Sequence, residues 1–121
     1  MQNYFFIVNS RIGQQKISQL KVAIQHYLAH CNITIKCTEY GGHATVLAKE
    51  AILQPDTIVV AVGGDGTVNE VVQVMANTNK AMGIVPTGSG NGLARHCGIP
   101  IVLQEAVALL ATGKTVAIDL G

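Results

Sequence analysis

Apolar runs rich in valine and isoleucine alternate along the chain with segments whose apolar residues recur every three or four positions. That rhythm predicts βαβ units and a mainly parallel sheet. Tyr4 to Val8 reads as the first strand. A helix over about 14 to 30 follows it, with Ile17, Leu20, Ile24, Tyr27 and Cys31 on one face. A second strand is expected at Thr34 to Thr38 and a second helix at about His43 to Leu53, burying Ala44, Leu47, Ala48 and Ala51. Gln54, Pro55 and Asp56 end that helix, because proline cannot continue it and restricts the residue before it. Thr57 to Val62 is a continuous run with no polar alternation, the pattern of a strand covered on both faces at the sheet centre.

Beyond it, Val68, Val71, Val72 and Met75 stripe a third helix ending near Asn77, and Met82 to Val85 forms a short buried strand halted by Pro86. The segment TGSGNGLARHCG supplies a glycine-rich loop and a short helix closed by Gly98. Pro100 suits the start of a last helix, about Ile101 to Ala111, which Gly113 closes. Thr115 to Leu120 alternates as a half-buried strand. With no repeat and no low-complexity linker, the 121 residues read as one domain. A chain of this size hides roughly two-thirds of its unfolded surface.

Composition sharpens this picture. Charged residues make up 12% of the chain and apolar residues 49%, against a usual charged share of about 25%, so many elements must be buried on more than one side. The expected fold class is therefore α/β, a three-layer Rossmann-like domain with a mainly parallel sheet. A net charge of +1, three Tyr and two Phe offer neither the basic field nor the stacking surface of a nucleic-acid binder. Cys31, Cys37 and Cys97 are odd in number and form no C-x-x-C pair, which argues against a disulfide framework or a zinc site and suits a reduced, cytoplasmic setting. The apolar start YFFIV is too short and lacks the basic region of a signal peptide. No apolar stretch approaches the ~20 residues of a membrane-spanning helix, so any membrane contact would be peripheral.

Candidate chemistry concentrates in two glycine-rich loops, VGGDGTVNE at 62–70 and PTGSGNGLA at 86–94. Both follow a strand, where α/β sheets bind ligands. Helix N-termini there present backbone N–H groups and a positive dipole end, and glycines let a phosphate approach them. Gly63, Gly64 and Gly66 suit such a cradle, Thr67 adds a hydroxyl, and Asp65 is placed to align a metal-bound phosphate or accept a proton. The same residues also fit a turn with glycines at positive φ and Asp65 as a helix cap. Known phosphate motifs do not fit. G-x-G-x-x-G starting at Gly64 ends on Asn69, the Gly113-Lys114-Thr115 triplet has Ala108 where a P-loop needs glycine, and Ser89 lacks the first glycine of a hydrolase elbow. His26 and His30 have a metal-compatible spacing, but they lie opposite the apolar stripe with no third ligand. His43 suits a pocket lining or a cap equally well. Arg95 suits phosphate or the end of a short helix, and Cys97 reads as a small buried hydrophobe.

Together, GGDGTVNEVV and GIVPTGSGNGLAR about twenty residues later resemble the diacylglycerol kinase catalytic domain family, which includes bacterial lipid kinases and sphingosine and ceramide kinases. IVN at 7–9 followed by Gly13, TEYGGHA at 38–44 and the closing AIDLG extend the resemblance over essentially the whole chain. It implies transfer of the ATP γ-phosphate to a lipid hydroxyl with Mg2+. It also implies that residues 1–121 are the N-terminal nucleotide-binding catalytic domain of a two-domain lipid kinase, whose C-terminal β-sandwich lies outside this chain and carries most metal ligands. By resemblance, Asn9, Ser10, Arg11 and Gly13 line the nucleotide at the first strand end, and Thr38 contacts it from the second. Gly63, Gly64, Asp65, Gly66, Thr67, Asn69 and Glu70 cradle phosphates with Ser89, Gly90 and Asn91 nearby, and Asp65 is the catalytic or metal-organising carboxylate. Expected partners are ATP, a lipid acceptor and a membrane surface met peripherally through the full-length protein, with self-association left open. The chain departs from the family pattern in having Ser10 for proline, Ile12 for serine, Ser89 for threonine and Gly92 for aspartate. An NAD kinase shares GGDGT but carries its asparagine-glutamate pair in a later segment and lacks PTGSGN. A sugar kinase of the 6-phosphofructokinase kind fits less well for similar reasons. A nucleotide-binding regulatory module without catalysis is the alternative outside the enzymes.

Overall fold

A computed structural model of the chain describes residues 2–76, 78–87 and 103–112. Ser89, Gly90, Asn91, the short helix with Arg95, Cys97 and Gly98, the first two residues of the last helix, Gly113 and the strand expected at Thr115 to Leu120 lie outside them. In chain order the elements are β1 (Asn3–Val8), a 3-10 turn (Ser10–Ile12), α1 (Gln14–Tyr27), β2 (Asn32–Cys37), α2 (His43–Ala51), β3 (Thr57–Gly63), α3 (Asp65–Met75), β4 (Met82–Pro86) and α4 (Leu103–Ala111).

The four strands pair in parallel in the order β2-β1-β3-β4. Alternate side chains of each inner strand feed opposite faces of the sheet. Tyr4, Phe6, Val8, Val60, Val62 and Val85 pack with α1 and α4 on one side. Phe5, Ile7, Val59, Ala61, Met82 and Ile84 pack with α2 and α3 on the other. This double covering is why the inner strands carry apolar residues at consecutive positions rather than alternating ones. Phe5, Phe6, Ile7, Val59, Val60 and Val62 are fully buried, and each such side chain contributes about 1.5–3 kcal/mol relative to exposure. The result is the expected α/β architecture of three layers.

Several boundaries differ from the sequence reading: β1 starts at Asn3, β3 and β4 run on to Gly63 and Pro86, α3 ends at Met75, and α1, α2 and β2 differ as follows. Helix α1 ends at Tyr27 rather than near His30, and Tyr27 is exposed instead of joining the buried stripe. The chain leaves helical geometry at Leu28 (φ −122°), whose N–H still closes on the Ile24 carbonyl, so Leu28 turns into the core and Tyr27 faces out against His26. Helix α2 ends at Ala51 rather than Leu53, although it buries the four residues expected of it. Strand β2 runs Asn32–Cys37, two residues earlier at its start, which leaves Thr38 just beyond its end. His26 and His30 are both exposed.

Candidate active site

The strand order fixes where a site can form. From β1 the chain crosses to β2 on one side and then returns to β3 on the other, so the segments after β1 and β3 depart toward opposite faces of the sheet. A crevice opens between them at the carboxyl ends of the strands, the usual ligand position in such sheets. The sheet ladder runs one rung past the strands into this region. Asn9 N–H donates to the Val62 carbonyl (2.9 Å), Thr38 N–H to the Val8 carbonyl (2.8 Å) and Thr87 N–H to the Gly63 carbonyl (3.3 Å). Site residues from three separate segments are thereby held in one register.

Asn9 is the hub of the crevice. Its Oδ1 accepts from Arg11 N–H (2.9 Å) and so caps the 3-10 turn, while its Nδ2 donates to Thr67 Oγ1 (2.9 Å) in the first turn of α3. Ser10 N–H donates to Thr38 Oγ1 (3.3 Å), tying the turn to the segment after β2. Asn9, Ser10, Arg11, Thr38, Gly66, Thr67 and Glu70 line one cleft of about 270 Å³. The structure thus gathers seven of the expected residues around one space. Gly13, Gly63, Gly64, Asp65 and Asn69 are not among its lining.

The glycines of GGDG have different roles. A Cβ on Gly63 would lie 3.1 Å from Asn9 Cβ, Thr67 Cβ and Thr67 Oγ1, so glycine there lets the end of β3 pass under the Asn9 to Thr67 link. Gly64 has negative φ (−87°) and Gly66 is helical; a Cβ on either would meet none of the described residues within 4 Å. The turn reading with positive φ at all three glycines therefore fails at Gly64 and Gly66. Among the described residues neither conformation nor packing explains them, and no described atom covers their Cα atoms at the helix start. Gly13 (φ 90°) is required by its conformation, at the junction of the 3-10 turn and α1.

Helix α3 begins with Gly64 as its N-cap and Asp65 as its first residue, so Asp65 is not the cap. Asp65 is exposed, in the helix's first turn, where a carboxylate suits the positive dipole end. The helix ladder opens with Val68 N–H to the Gly64 carbonyl at 3.1 Å. The amides of the first turn precede that bond and point out of the helix start.

Two features escaped the sequence reading. Glu39, Tyr40, Gly41 and Gly42, on the segment between β2 and α2, also line the cleft. Their position next to Thr38 was the available signal. Lys16, in the first turn of α1, donates from Nζ to the Thr87 carbonyl (2.6 Å), fastening α1 to the start of the second glycine-rich loop. A lysine on a helix carries no sequence mark of such a role. Among the described residues, no group of three or more His, Cys, Asp or Glu is arranged to hold a metal ion, and no helix is long and apolar enough to cross a membrane.

A sheet of this order with a glycine-flanked helix start at its switch point defines a three-layer α/β domain with a candidate ligand crevice, and comparison with known proteins specifies its family. Residues 3–121 match the model of the diacylglycerol kinase catalytic domain, and the chain belongs to that family. It is 37% identical over 90 residues to a probable lipid kinase YegS-like of Yersinia pestis (strain Pestoides F), covering 71% of this chain and 30% of that protein. The Yersinia pseudotuberculosis (strain YPIII, serotype O:3) counterpart matches to the same extent. Among solved structures, a diacylglycerol kinase from Bacillus anthracis str. Sterne superimposes with a TM-score of 0.81 at 27% identity, over 93% of this chain and 44% of that one. The chain thus spans about 30% of the length of the curated relatives it matches.

Proposed function

We propose that the chain is the ATP-binding part of a lipid kinase that transfers the γ-phosphate to a lipid hydroxyl, of diacylglycerol or sphingosine type, at a membrane surface facing the cytoplasm. The observation that carries this reading is the pair Gly64 and Gly66 at the α3 N-terminus beside Asn9 and Thr67, glycines that neither backbone angle nor packing among the described residues explains. Family membership adds its support.

In this reading the polyphosphate approaches the first turn of α3, where Gly66 and Thr67 offer backbone amides and the helix dipole favours its charge. The Asn9 to Thr67 hydrogen bond keeps the two cleft walls in register, and positioning of this kind is most of what phosphoryl transfer asks of a protein. The Asp65 carboxylate takes the proton of the acceptor hydroxyl as its oxygen bonds to the γ-phosphorus and the bond to the ADP oxygen breaks. Mg2+, when bound with the nucleotide, neutralises phosphate charge. It commonly takes only one or two carboxylates besides phosphate oxygens and water; these would come mainly from the partner domain, which leaves Asp65 as the base. The C-terminal domain is expected to supply the lipid site.

The test is phosphate transfer by the full-length protein to diacylglycerol, sphingosine and NAD, with Asp65→Asn as the variant. We expect transfer to a lipid, reduced by about 10² to 10⁴ in the variant, while its melting temperature stays near that of the parent protein. A fully active variant removes Asp65 from the chemistry. Transfer to NAD alone overturns the lipid assignment.

A further inference from the structure

The cleft wall formed after β2 carries an aromatic surface that the phosphate chemistry leaves unused. Tyr40 lines the cleft, and 59% of its surface is exposed. Among the described residues four other large apolar side chains are exposed, namely Val22, Tyr27, Val46 and Leu53, and none lines this cleft.

The ring is held in place. It stacks on the His43 imidazole with centroids 4.3 Å apart and planes 12° from parallel. His43 is fixed in turn, since its Nδ1 accepts the Glu39 backbone N–H (2.9 Å) and its backbone N–H donates to the Tyr40 carbonyl (3.1 Å). Gly42, left-handed at φ 87°, makes the reversal that brings imidazole and phenol together ahead of α2. A ring backed on one side and wet on the other loses little freedom when a second flat group covers it. Its open surface is a π-system of the kind on which any nucleobase stacks.

The placement gives this ring a partner. The cleft runs without a break from Gly66 and Thr67, at the α3 N-terminus, to Tyr40 on the wall after β2. A ligand whose phosphates sit at the helix start would lay the rest of its body along that wall. We propose that Tyr40, backed by His43, is the stacking platform for the base of the bound nucleotide and so a base-positioning residue of this site. The inference rests on the nucleotide reading above. It adds the end of the ligand to which the glycine loops are blind.

The chain contains no tryptophan, so Tyr40→Trp introduces a single indole reporter at an exposed position. Stacking predicts that ATP and adenosine quench this fluorescence while tripolyphosphate does not. In parallel, Tyr40→Ala is measured on the full chain by equilibrium dialysis. We expect ATP affinity to fall about tenfold, as loss of one base–aromatic stack implies, with tripolyphosphate affinity unchanged and recovery in Tyr40→Phe. Unchanged ATP affinity in Tyr40→Ala overturns the platform and leaves the nucleotide reading standing. Equal losses for ATP and tripolyphosphate also overturn it, because the side chain would then serve the phosphate end or the fold. No ATP binding by the unsubstituted chain overturns the nucleotide reading and the platform with it.

Discussion

Gly63 and Gly66, three positions apart, separate what the fold needs from what a ligand needs. An alanine methyl at Gly63 would press on Asn9 and Thr67 at 3.1 Å, against atoms fixed close to the backbone. Gly63→Ala should therefore cost about 1–3 kcal/mol, the usual range for overpacking. At Gly66 the methyl meets none of the described residues, and alanine is the better helix former by up to about 1 kcal/mol. Gly66→Ala should leave the protein equally or more stable and weaken its ATP binding. Urea unfolding and nucleotide titration of both variants check the pair, and a Gly66→Ala protein that binds ATP normally would return that glycine to the status of a surface residue. Sequence alone presented three equivalent glycines after a strand. Only the neighbours of each one distinguish them.

At the level of elements, most of the fold was legible. Each helix stripe predicted from three- and four-residue spacing is buried in α2 and α3, because packing against a flat sheet reads out one helix face. The failure at Tyr27 lies where α1 ends, a place governed by Leu28 leaving helical geometry rather than by periodicity. One tie between elements was invisible in the sequence. Tyr4 of β1 donates its hydroxyl to the Leu110 carbonyl in the last turn of α4 (3.3 Å) across 106 residues. Burial holds the phenol above its ordinary value of 10.0, and its electrostatic interaction with Cys31 adds to the effect. The folded state thus keeps this proton at pH values where the unfolded chain has lost it, so stability is full below about pH 10 and falls as pH rises through the folded value. Tyr4→Phe should lose about 1 kcal/mol at neutral pH with the hydrogen bond and show a shallower alkaline decline. Urea midpoints taken from neutral to alkaline pH decide it; parallel declines in the two proteins would remove Tyr4 as the cause.

For the whole molecule, the covered sheet explains the low charge, and the switch point explains why residues distant in sequence share a cleft. In the proposed two-domain kinase, this chain contributes the nucleotide cradle and the partner domain the acceptor. The 121-residue chain by itself should then bind ATP weakly and transfer phosphate to lipid at a negligible rate. Radiolabelled transfer to lipid vesicles by the isolated chain is the check, and robust activity would show that the domain is self-sufficient. The sequence by itself determined the layers, the strand at the centre and the family, because hydrophobic periodicity and the paired loops GGDGTVNEVV and PTGSGNGLAR are local properties of the chain. The tertiary structure alone decided that Asn9 bonds Thr67, that Gly63 is a packing glycine while Gly66 is an open one, and that Tyr40 faces the same cleft. Those facts depend on strand order and ladder register, which bring segments about thirty and sixty residues apart to one edge of the sheet. The residues that make VGGDGTVNE more than a turn come from outside it.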